Sequence, residues 1–115
     1  MERLLFIMEI YEDKIEEYER RHEEVWPQLL GDLWAGGWRN YSLFRRGNQV
    51  FGYAECHPTI ESCLGSMANS TANTEWAIWF TDVIKSLTDE SGNLFMAEQV
   101  WHMNEKIAAN AAEAS

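Results

Sequence analysis

A predicted β-hairpin in the middle of the chain constrains its fold most. Residues 40–45 and 50–56 are strand-like runs that contain Tyr, Phe and Val side chains. The residues between them include Gly47 and Asn48, two residue types that adopt positive φ easily. Because these two strands pair with each other, the segments before and after the hairpin must supply the remaining strands and the helices.

The segment before the hairpin has the apolar spacing of an amphipathic helix, with steps of three and four residues. The members of this stripe are Ile15, Tyr18, His22, Val25, Trp26, Leu29, Leu30 and Leu33. Asp13 is the predicted N-cap, and Gly36 with Gly37 ends the helix. Pro27 lacks a backbone donor and disfavours helical geometry at the residue before it. We therefore expect the helix to kink or restart at Pro27.

The rest of the chain adds two strands and two helices. The predicted elements are a strand at residues 4–10, a helix at 58–67, a helix at 73–86 and a segment at 94–103 in which residues 100–103 fit a last strand. Polar residues at 69–72 and 88–93 are predicted loops. The alanine-rich tail, residues 104–115, is weakly amphipathic and is expected to fray.

This order of elements predicts an α+β fold of the ferredoxin-like, split βαβ type. Its four-stranded antiparallel sheet would have helices on one face, within a single domain at residues 1–103. Several large apolar side chains are predicted to occupy the other face. They are Phe6, Met8, Phe51, Tyr53 and Trp101. We expect a homodimer to cover that face.

Composition excludes several classes of partner. The 115 residues leave room for one domain, and 9 basic against 19 acidic residues give a net charge of −10. This charge repels nucleic acid and anionic lipid, and no run reaches the roughly 18 apolar residues needed to span a bilayer. A cytoplasmic location is expected, because no targeting signal is recognised and Cys56 and Cys63 lack a CxxC spacing.

His22 is the first candidate for chemistry. Tyr18, His22 and Trp26 are spaced four residues apart, so their side chains are expected to converge on one helix face. A buried imidazole needs hydrogen-bond partners, and a core histidine that has them is the more common explanation of such a pattern. Four further aromatic residues fit either a core or the wall of a sugar pocket. They are Tyr41, Trp76, Trp79 and Phe80.

A longer motif favours the sugar pocket. Residues 17–22, EYERRH, followed by VWP at 25–27, resemble the signature of the L-rhamnose mutarotase family. The resemblance extends over residues 1–103. Further matching positions are Asn40, Tyr41, Trp76, Thr81, Asp82, Val83, Val100 and Trp101.

The resemblance implies a dimeric α/β barrel that acts on a monosaccharide without cofactor or metal. It implies that His22 is the proton donor and that Tyr18, Tyr41 and Trp76 contact the sugar. The family pattern has a Trp-Trp pair where this chain has Trp76 followed by Ala77. The sugar therefore stays open between L-rhamnose and another 6-deoxyhexose such as L-fucose.

The chemistry of anomer exchange suits these residues. The ring oxygen must gain a proton and the anomeric hydroxyl must lose one, and a histidine with an ordinary pKa near 6.5 can transfer protons at neutral pH. His22 is assigned as the general acid, and the sequence identifies no base. Two alternatives stay open, since a fold does not determine a function. They are a cofactor-free monooxygenase with the same barrel and a non-catalytic sugar-binding module.

Overall fold

The computed structural model describes residues 1–114. Its strands are β1 (Glu2–Ile10), β2 (Trp38–Arg46), β3 (Gln49–Cys56), β4 (Ile84–Ser86) and β5 (Met96–Ala97). Its helices are α1 (Ile15–Arg21), α2 (Pro27–Ala35), α3 (Ile60–Ala68), α4 (Thr71–Trp79) and α5 (Glu105–Ala114), and a 3-10 turn at Glu12–Lys14 precedes α1.

The strands form one antiparallel sheet in the order β2-β3-β1-β4, and β5 also pairs with β1. β4 lies beside Glu9 and Ile10, whereas β5 lies beside Leu5 and Phe6 on the same edge. The fourth strand of the ferredoxin-like sheet is therefore split into two short pieces by residues 87–95. This arrangement confirms the predicted α+β fold.

The last predicted strand is wrong in its position, because residues 100–103 do not lie in the sheet. Of residues 94–103, only Met96 and Ala97 pair with β1, and residues 98–104 leave the sheet without regular structure. Trp101 is 77% exposed and does not lie on the sheet. A hydrophobic run predicts a strand, but it does not specify which neighbour the strand pairs with.

Alternation along β1 separates the two faces of the sheet. Leu4, Phe6, Met8 and Ile10 are buried beneath the helices, so the prediction that Phe6 and Met8 lie on the free face is wrong. The free face instead carries half-buried Leu5, Ile7, Phe51 and Tyr53, which pair across β1 and β3 as Leu5↔Tyr53 and Ile7↔Phe51. The buried core consists of Leu4, Phe6, Met8, Ile10, Tyr18, Leu29, Trp38, Val50, Ala54, Cys56, Cys63, Met67, Ala72, Phe80 and Val83.

Gly52 determines where the ring of Phe6 lies. The two residues are partners across β1 and β3, and a Cβ on Gly52 would lie only 2.1 Å from Cζ of Phe6. Absence of that carbon lets the ring cross β3, where it meets Tyr41 at a centroid distance of 6.2 Å. A glycine in this strand therefore positions an aromatic contact next to the candidate site.

The predicted break in the first helix is confirmed. α1 ends at Arg21, His22 follows as its C-cap, and α2 begins with Pro27 at its first position. Asp13 does not cap α1, because the 3-10 turn occupies residues 12–14 and Lys14 stands at the N-cap without a side-chain hydrogen bond.

Of the two helices that follow the hairpin, α3 agrees with the prediction and α4 does not. α3 begins after Thr59, which forms a capping box with Ser62, close to the predicted start. α4 begins at Thr71, because the Ser70 hydroxyl accepts a hydrogen bond from the backbone N–H of Asn73. It ends at Trp79 rather than near residue 86, since residues 84–86 pair with β1 instead.

The tail contains a helix, α5, whose first turn is capped by Asn104, which accepts a hydrogen bond from the N–H of Ile107 at 3.1 Å. The last residue of the predicted tail, Ser115, lies outside the described residues. Over residues 1–114, no helix is long and apolar enough to cross a membrane.

Candidate active site

A β-bulge in β2 determines which side chains face α1. Arg39 pairs with Glu55 and Ser42 pairs with Tyr53, so β2 has one extra residue in this interval. Asn40 has φ 49° at the bulge and donates a hydrogen bond from Nδ2 to Glu55 at 2.8 Å. Asparagine tolerates this left-handed conformation better than most residues, but the bulge was not predicted from the sequence.

The bulge reverses the alternation of β2 beyond Asn40. Tyr41 now lies against Trp38, with ring centroids 5.0 Å apart. Leu43 pairs with Gly52 and Arg45 pairs with Val50, so both share the helix-covered face of β3.

A cleft of about 400 Å³ lies between α1 and this part of β2, within the size range of small-molecule sites. Its lining combines a histidine, a phenol, charged groups and apolar side chains. The lining residues are Tyr18, Glu19, His22, Glu23, Leu43, Phe44, Arg45 and Val50. Two of the predicted site residues, Tyr18 and His22, therefore share one cleft.

The tautomer of His22 follows from its partner. Nδ1 lies 2.8 Å from the carbonyl oxygen of Tyr18, and a carbonyl only accepts, so Nδ1 carries a proton. In the neutral ring, Nε2 is then the unprotonated nitrogen and is available to a ligand. Burial of the ring lowers the pKa of His22 below its ordinary 6.5, against a smaller opposing effect of the hydrogen bond to the Tyr18 carbonyl.

Tyr18 carries a buried hydroxyl that lacks a hydrogen-bond partner within residues 1–114. The residue is 5% exposed, and its ring lies 4.5 Å from that of His22. An unpaired buried polar group costs about 1–3 kcal/mol, and a polar ligand bound here would supply the missing partner.

The phenols of the site are neutral at physiological pH. Burial raises the pKa of Tyr18 far above 10, and nearby Tyr41 adds to the shift. Tyr41 is 40% exposed as a residue, but burial around its hydroxyl raises the pKa to about 12. Both side chains can therefore donate hydrogen bonds, whereas neither is available as a phenolate base.

Aromatic rings from α4 surround the other side of His22. Trp76 meets the imidazole edge to face at a centroid distance of 5.3 Å, and Phe80 lies at 5.2 Å. Trp26 contacts Trp76 and stacks on Trp79 at 5.4 Å, and neither Trp26 nor Trp79 lines the cleft. Trp26 is therefore connected to His22 through Trp76, and it does not lie directly beside Tyr18 and His22 as predicted.

Arg21 holds the site together in a way that was not predicted from the sequence. Its side chain is 9% exposed and forms ion pairs with Glu17 at 2.8 Å and Asp82 at 3.1 Å. It also donates to the carbonyl oxygen of Trp79 at 2.6 Å. The guanidinium therefore joins α1 to the end of α4 beside the site.

A larger cleft, of about 650 Å³, lies between β1 and residues 86–95. Its ionisable groups are the carboxylates Glu9, Asp89 and Glu90, and no histidine, tyrosine or tryptophan lines it. The smaller cleft is therefore the better candidate, because it combines a proton-transfer group with hydrogen-bond donors.

Comparison with known proteins identifies relatives along nearly the whole chain. The family model described as L-rhamnose mutarotase matches residues 3–103. An L-rhamnose mutarotase of Oceanobacillus iheyensis is 38% identical over 106 residues, which cover 90% of this chain and all of that protein. One from Mannheimia succiniciproducens is 32% identical over 101 residues, covering 86% of this chain and 95% of that one.

A solved structure has the same fold. The crystal structure of an L-rhamnose mutarotase from Formosa agariphila superposes with a TM-score of 0.73 at 23% identity, covering 90% of this chain and 100% of that one. Together with the match over residues 3–103, these relatives assign the chain to a family of carbohydrate epimerases. The chain belongs to the L-rhamnose mutarotase family.

Proposed function

We propose that the protein interconverts the α and β anomers of L-rhamnose, or of a related 6-deoxyhexose such as L-fucose, in the cleft between α1 and β2. His22 is the proton donor. One observation carries the proposal: Nδ1 of His22 is engaged by the Tyr18 carbonyl at 2.8 Å, which leaves Nε2 as the nitrogen that exchanges protons with a ligand.

The reaction needs two proton transfers and one bond cleavage. Protonated His22 gives the proton on Nε2 to the ring oxygen while the bond between that oxygen and the anomeric carbon breaks. The anomeric hydroxyl loses its proton and becomes the aldehyde oxygen, and closure on the other face of the carbonyl reverses these steps. The base at the anomeric hydroxyl has no assigned residue.

The other predicted sugar contacts are Tyr18, which lines the cleft, and Tyr41 and Trp76, which lie next to the cleft residues but are not part of its lining. Neutral Tyr18 and Tyr41 donate hydrogen bonds to sugar oxygens, because their raised pKa values keep both phenols protonated. Trp76 provides an apolar wall next to the imidazole. Ala77 leaves this wall shorter than the family's Trp-Trp pair, and Trp79 does not replace the missing ring because it stacks on Trp26.

The polarity of the cleft argues against the alternative oxygenase. Glu19, Glu23, Arg45 and an unpaired phenol suit a substrate with many hydroxyls better than a hydrophobic aromatic one. A non-catalytic sugar-binding module differs from a mutarotase only in turnover and is separated from it by the first experiment below. The cytoplasmic location stays a prediction.

We also propose that the protein is a homodimer in which a second copy covers the free face of the sheet and residues 98–104, completing the predicted barrel. Val100 and Trp101 are 93% and 77% exposed, which is unusual for large apolar residues in one short segment. The radius of gyration is 16.5 Å, against about 13 Å for a compact chain of this length. Both values fit an arm that packs on a partner.

Anomer exchange is the first test. Exchange proton NMR on equilibrated L-rhamnose and L-fucose should show acceleration by the wild-type protein, and His22→Ala should lower it about 10²- to 10⁴-fold, the usual contribution of a positioned acid or base. His57→Ala is the matched control, because His57 is exposed and lies outside the cleft. Absence of acceleration with any 6-deoxyhexose would contradict the proposal, and sugar binding without exchange would identify a binding module.

The pH dependence tests the direction of proton transfer. The pKa of His22 is lowered below 6.5, so its donor form is a minority at pH 7 and increases as the pH falls. After subtraction of solvent-catalysed exchange, turnover should rise as the pH falls from 8 toward the lowered pKa of His22 and level off below that pKa. Turnover that instead falls below about pH 6.5 would assign His22 as a base.

Replacement of Tyr18 by Phe should separate activity from stability. Tyr18→Phe removes an unpaired buried hydroxyl, so the free energy of unfolding should stay constant or increase by about 1 kcal/mol, while turnover falls about tenfold through the lost sugar contact. Tyr53→Phe is the matched control, since its hydroxyl donates to Glu55 at 2.9 Å and its loss should lower stability slightly without an effect on turnover. Urea unfolding and NMR exchange give the two values, and a marked loss of stability in Tyr18→Phe would contradict this account.

The dimer is tested by sedimentation velocity. Wild-type protein should sediment as a dimer at micromolar concentration, and Trp101→Ser should shift it toward monomer because the arm loses its largest apolar side chain. Trp34→Ser, at a tryptophan on α2 that is 65% exposed, should leave the dimer intact. A monomeric wild type, or equal dissociation of both variants, would refute the proposed interface.

A further inference from the structure

An ion pair between Glu19 and Arg45 forms one wall of the candidate cleft. Nε of Arg45 donates to Oε1 of Glu19 at 2.7 Å, and Nη1 donates to the carbonyl oxygen of Gly47 at 2.9 Å. Both side chains line the cleft together with Tyr18 and His22. The pair therefore connects α1 to the end of β2 directly beside the proposed proton donor.

Each member of the pair has hydrogen-bonding capacity left. Within residues 1–114, no group binds Nη2 of Arg45 or Oε2 of Glu19. The two side chains are 33% and 56% exposed, so both remain accessible to a ligand. A planar donor next to a planar acceptor matches two neighbouring hydroxyls, of which one accepts from the guanidinium and the other donates to the carboxylate.

We propose that Glu19 and Arg45 act as a specificity-determining pair that holds two adjacent hydroxyls of the pyranose. This inference rests on the proposed function. It adds a second place in the cleft where the sugar is held. Glu19 precedes His22 by three residues, so their Cβ atoms are about 5–6 Å apart on α1. A single sugar ring spans this separation, with its ring oxygen at His22 and its more distant hydroxyls at the pair.

Charge at the cleft defines the class of sugar. Glu19 neutralises Arg45, and Glu23 on the same lining adds a further negative charge. The carboxylate of a uronic acid would lie near the carboxylate of Glu23, and no unpaired cation of the cleft lining would balance the charge of the sugar. The pair therefore selects a neutral sugar with adjacent hydroxyls, which is consistent with a 6-deoxyhexose.

The bulge at Asn40 makes this role possible. Without the extra residue, Arg45 would point to the free face of the sheet, because side chains alternate along a strand. Arg46, the next residue along β2, pairs with Gln49 on the opposite face of the sheet, and it does not line the cleft. The two adjacent arginines thus provide a site residue and its matched control.

The experiment compares Arg45→Gln and Glu19→Gln with Arg46→Gln. Loss of a charge-assisted hydrogen bond should raise KM for L-rhamnose about tenfold in the first two variants, with kcat nearly unchanged because the proton donor is intact. Arg46→Gln should behave as wild type. The double variant Glu19→Gln/Arg45→Gln should be little worse than either single variant, since the two residues act as a unit.

Monodeoxy analogues of L-rhamnose provide a readout that a structural tether would not change. Wild type should discriminate against the loss of two adjacent hydroxyls, and the pair variants should lose this discrimination. If the thermal unfolding temperature falls while KM and the analogue pattern stay as in wild type, the ion pair is only a tether and the inference is overturned. Equal effects of Arg45→Gln and Arg46→Gln would overturn it as well.

Calorimetric binding of L-rhamnose separates this inference from the proposed function. If the wild-type protein exchanges anomers and Arg45→Gln binds L-rhamnose with unaltered affinity, the mutarotase proposal stands and the proposed role of the Glu19–Arg45 pair is refuted. If the wild-type protein binds the sugar without exchanging anomers and Arg45→Gln binds it more weakly, the mutarotase proposal is refuted and the proposed role of the pair is supported. Absence of any binding or exchange in wild type contradicts both.

Discussion

The buried guanidinium of Arg21 is the contact on which the candidate site depends. It joins Glu17 on α1 to Asp82 and to the carbonyl oxygen of Trp79, and it lies 4.9 Å from the centroid of the Trp79 ring. These three partners accept hydrogen bonds from the N–H groups of the guanidinium. Because the adjacent residue is His22, the same contact determines how close the imidazole lies to the aromatic rings of α4.

The end of α1 at Arg21 determines the tautomer of that imidazole. In a continuous helix the carbonyl of Tyr18 would accept from the backbone N–H of His22, but this N–H bonds to Glu19 instead, at 3.1 Å. The free carbonyl then accepts from Nδ1 of His22. The end of α1 at Arg21 is therefore connected, through the Tyr18 carbonyl, to the tautomer that leaves Nε2 open to a ligand.

The features that were predicted from the sequence depend on interactions between neighbouring residues. Most of the features that were missed depend on partners far away along the chain. The helix break at Pro27, the hairpin around Gly47 and the start of α3 at Thr59 depend on neighbouring residues, and all three were predicted. The burial of Arg21 and the pairing of residues 84–86 depend on partners about 60 or more residues away. The bulge at Asn40 is local, but one extra residue is visible only after both strands have been put in register. The roles of Tyr18, His22, Tyr41 and Trp76 stay predictions.

The site contains features that lower stability in the free protein. Tyr18 has an unpaired buried hydroxyl, and the burial that lowers the pKa of His22 disfavours its charged form. In the proposed mechanism, a polyhydroxylated ligand would supply a hydrogen-bond partner to the first and a proton acceptor to the second. The desolvation that makes protonated His22 scarce also makes it a stronger acid, and a stronger acid transfers its proton to a weakly basic ring oxygen more readily. If His22 acts as proposed, the costs in the free protein and the driving force for ring opening have the same physical origin.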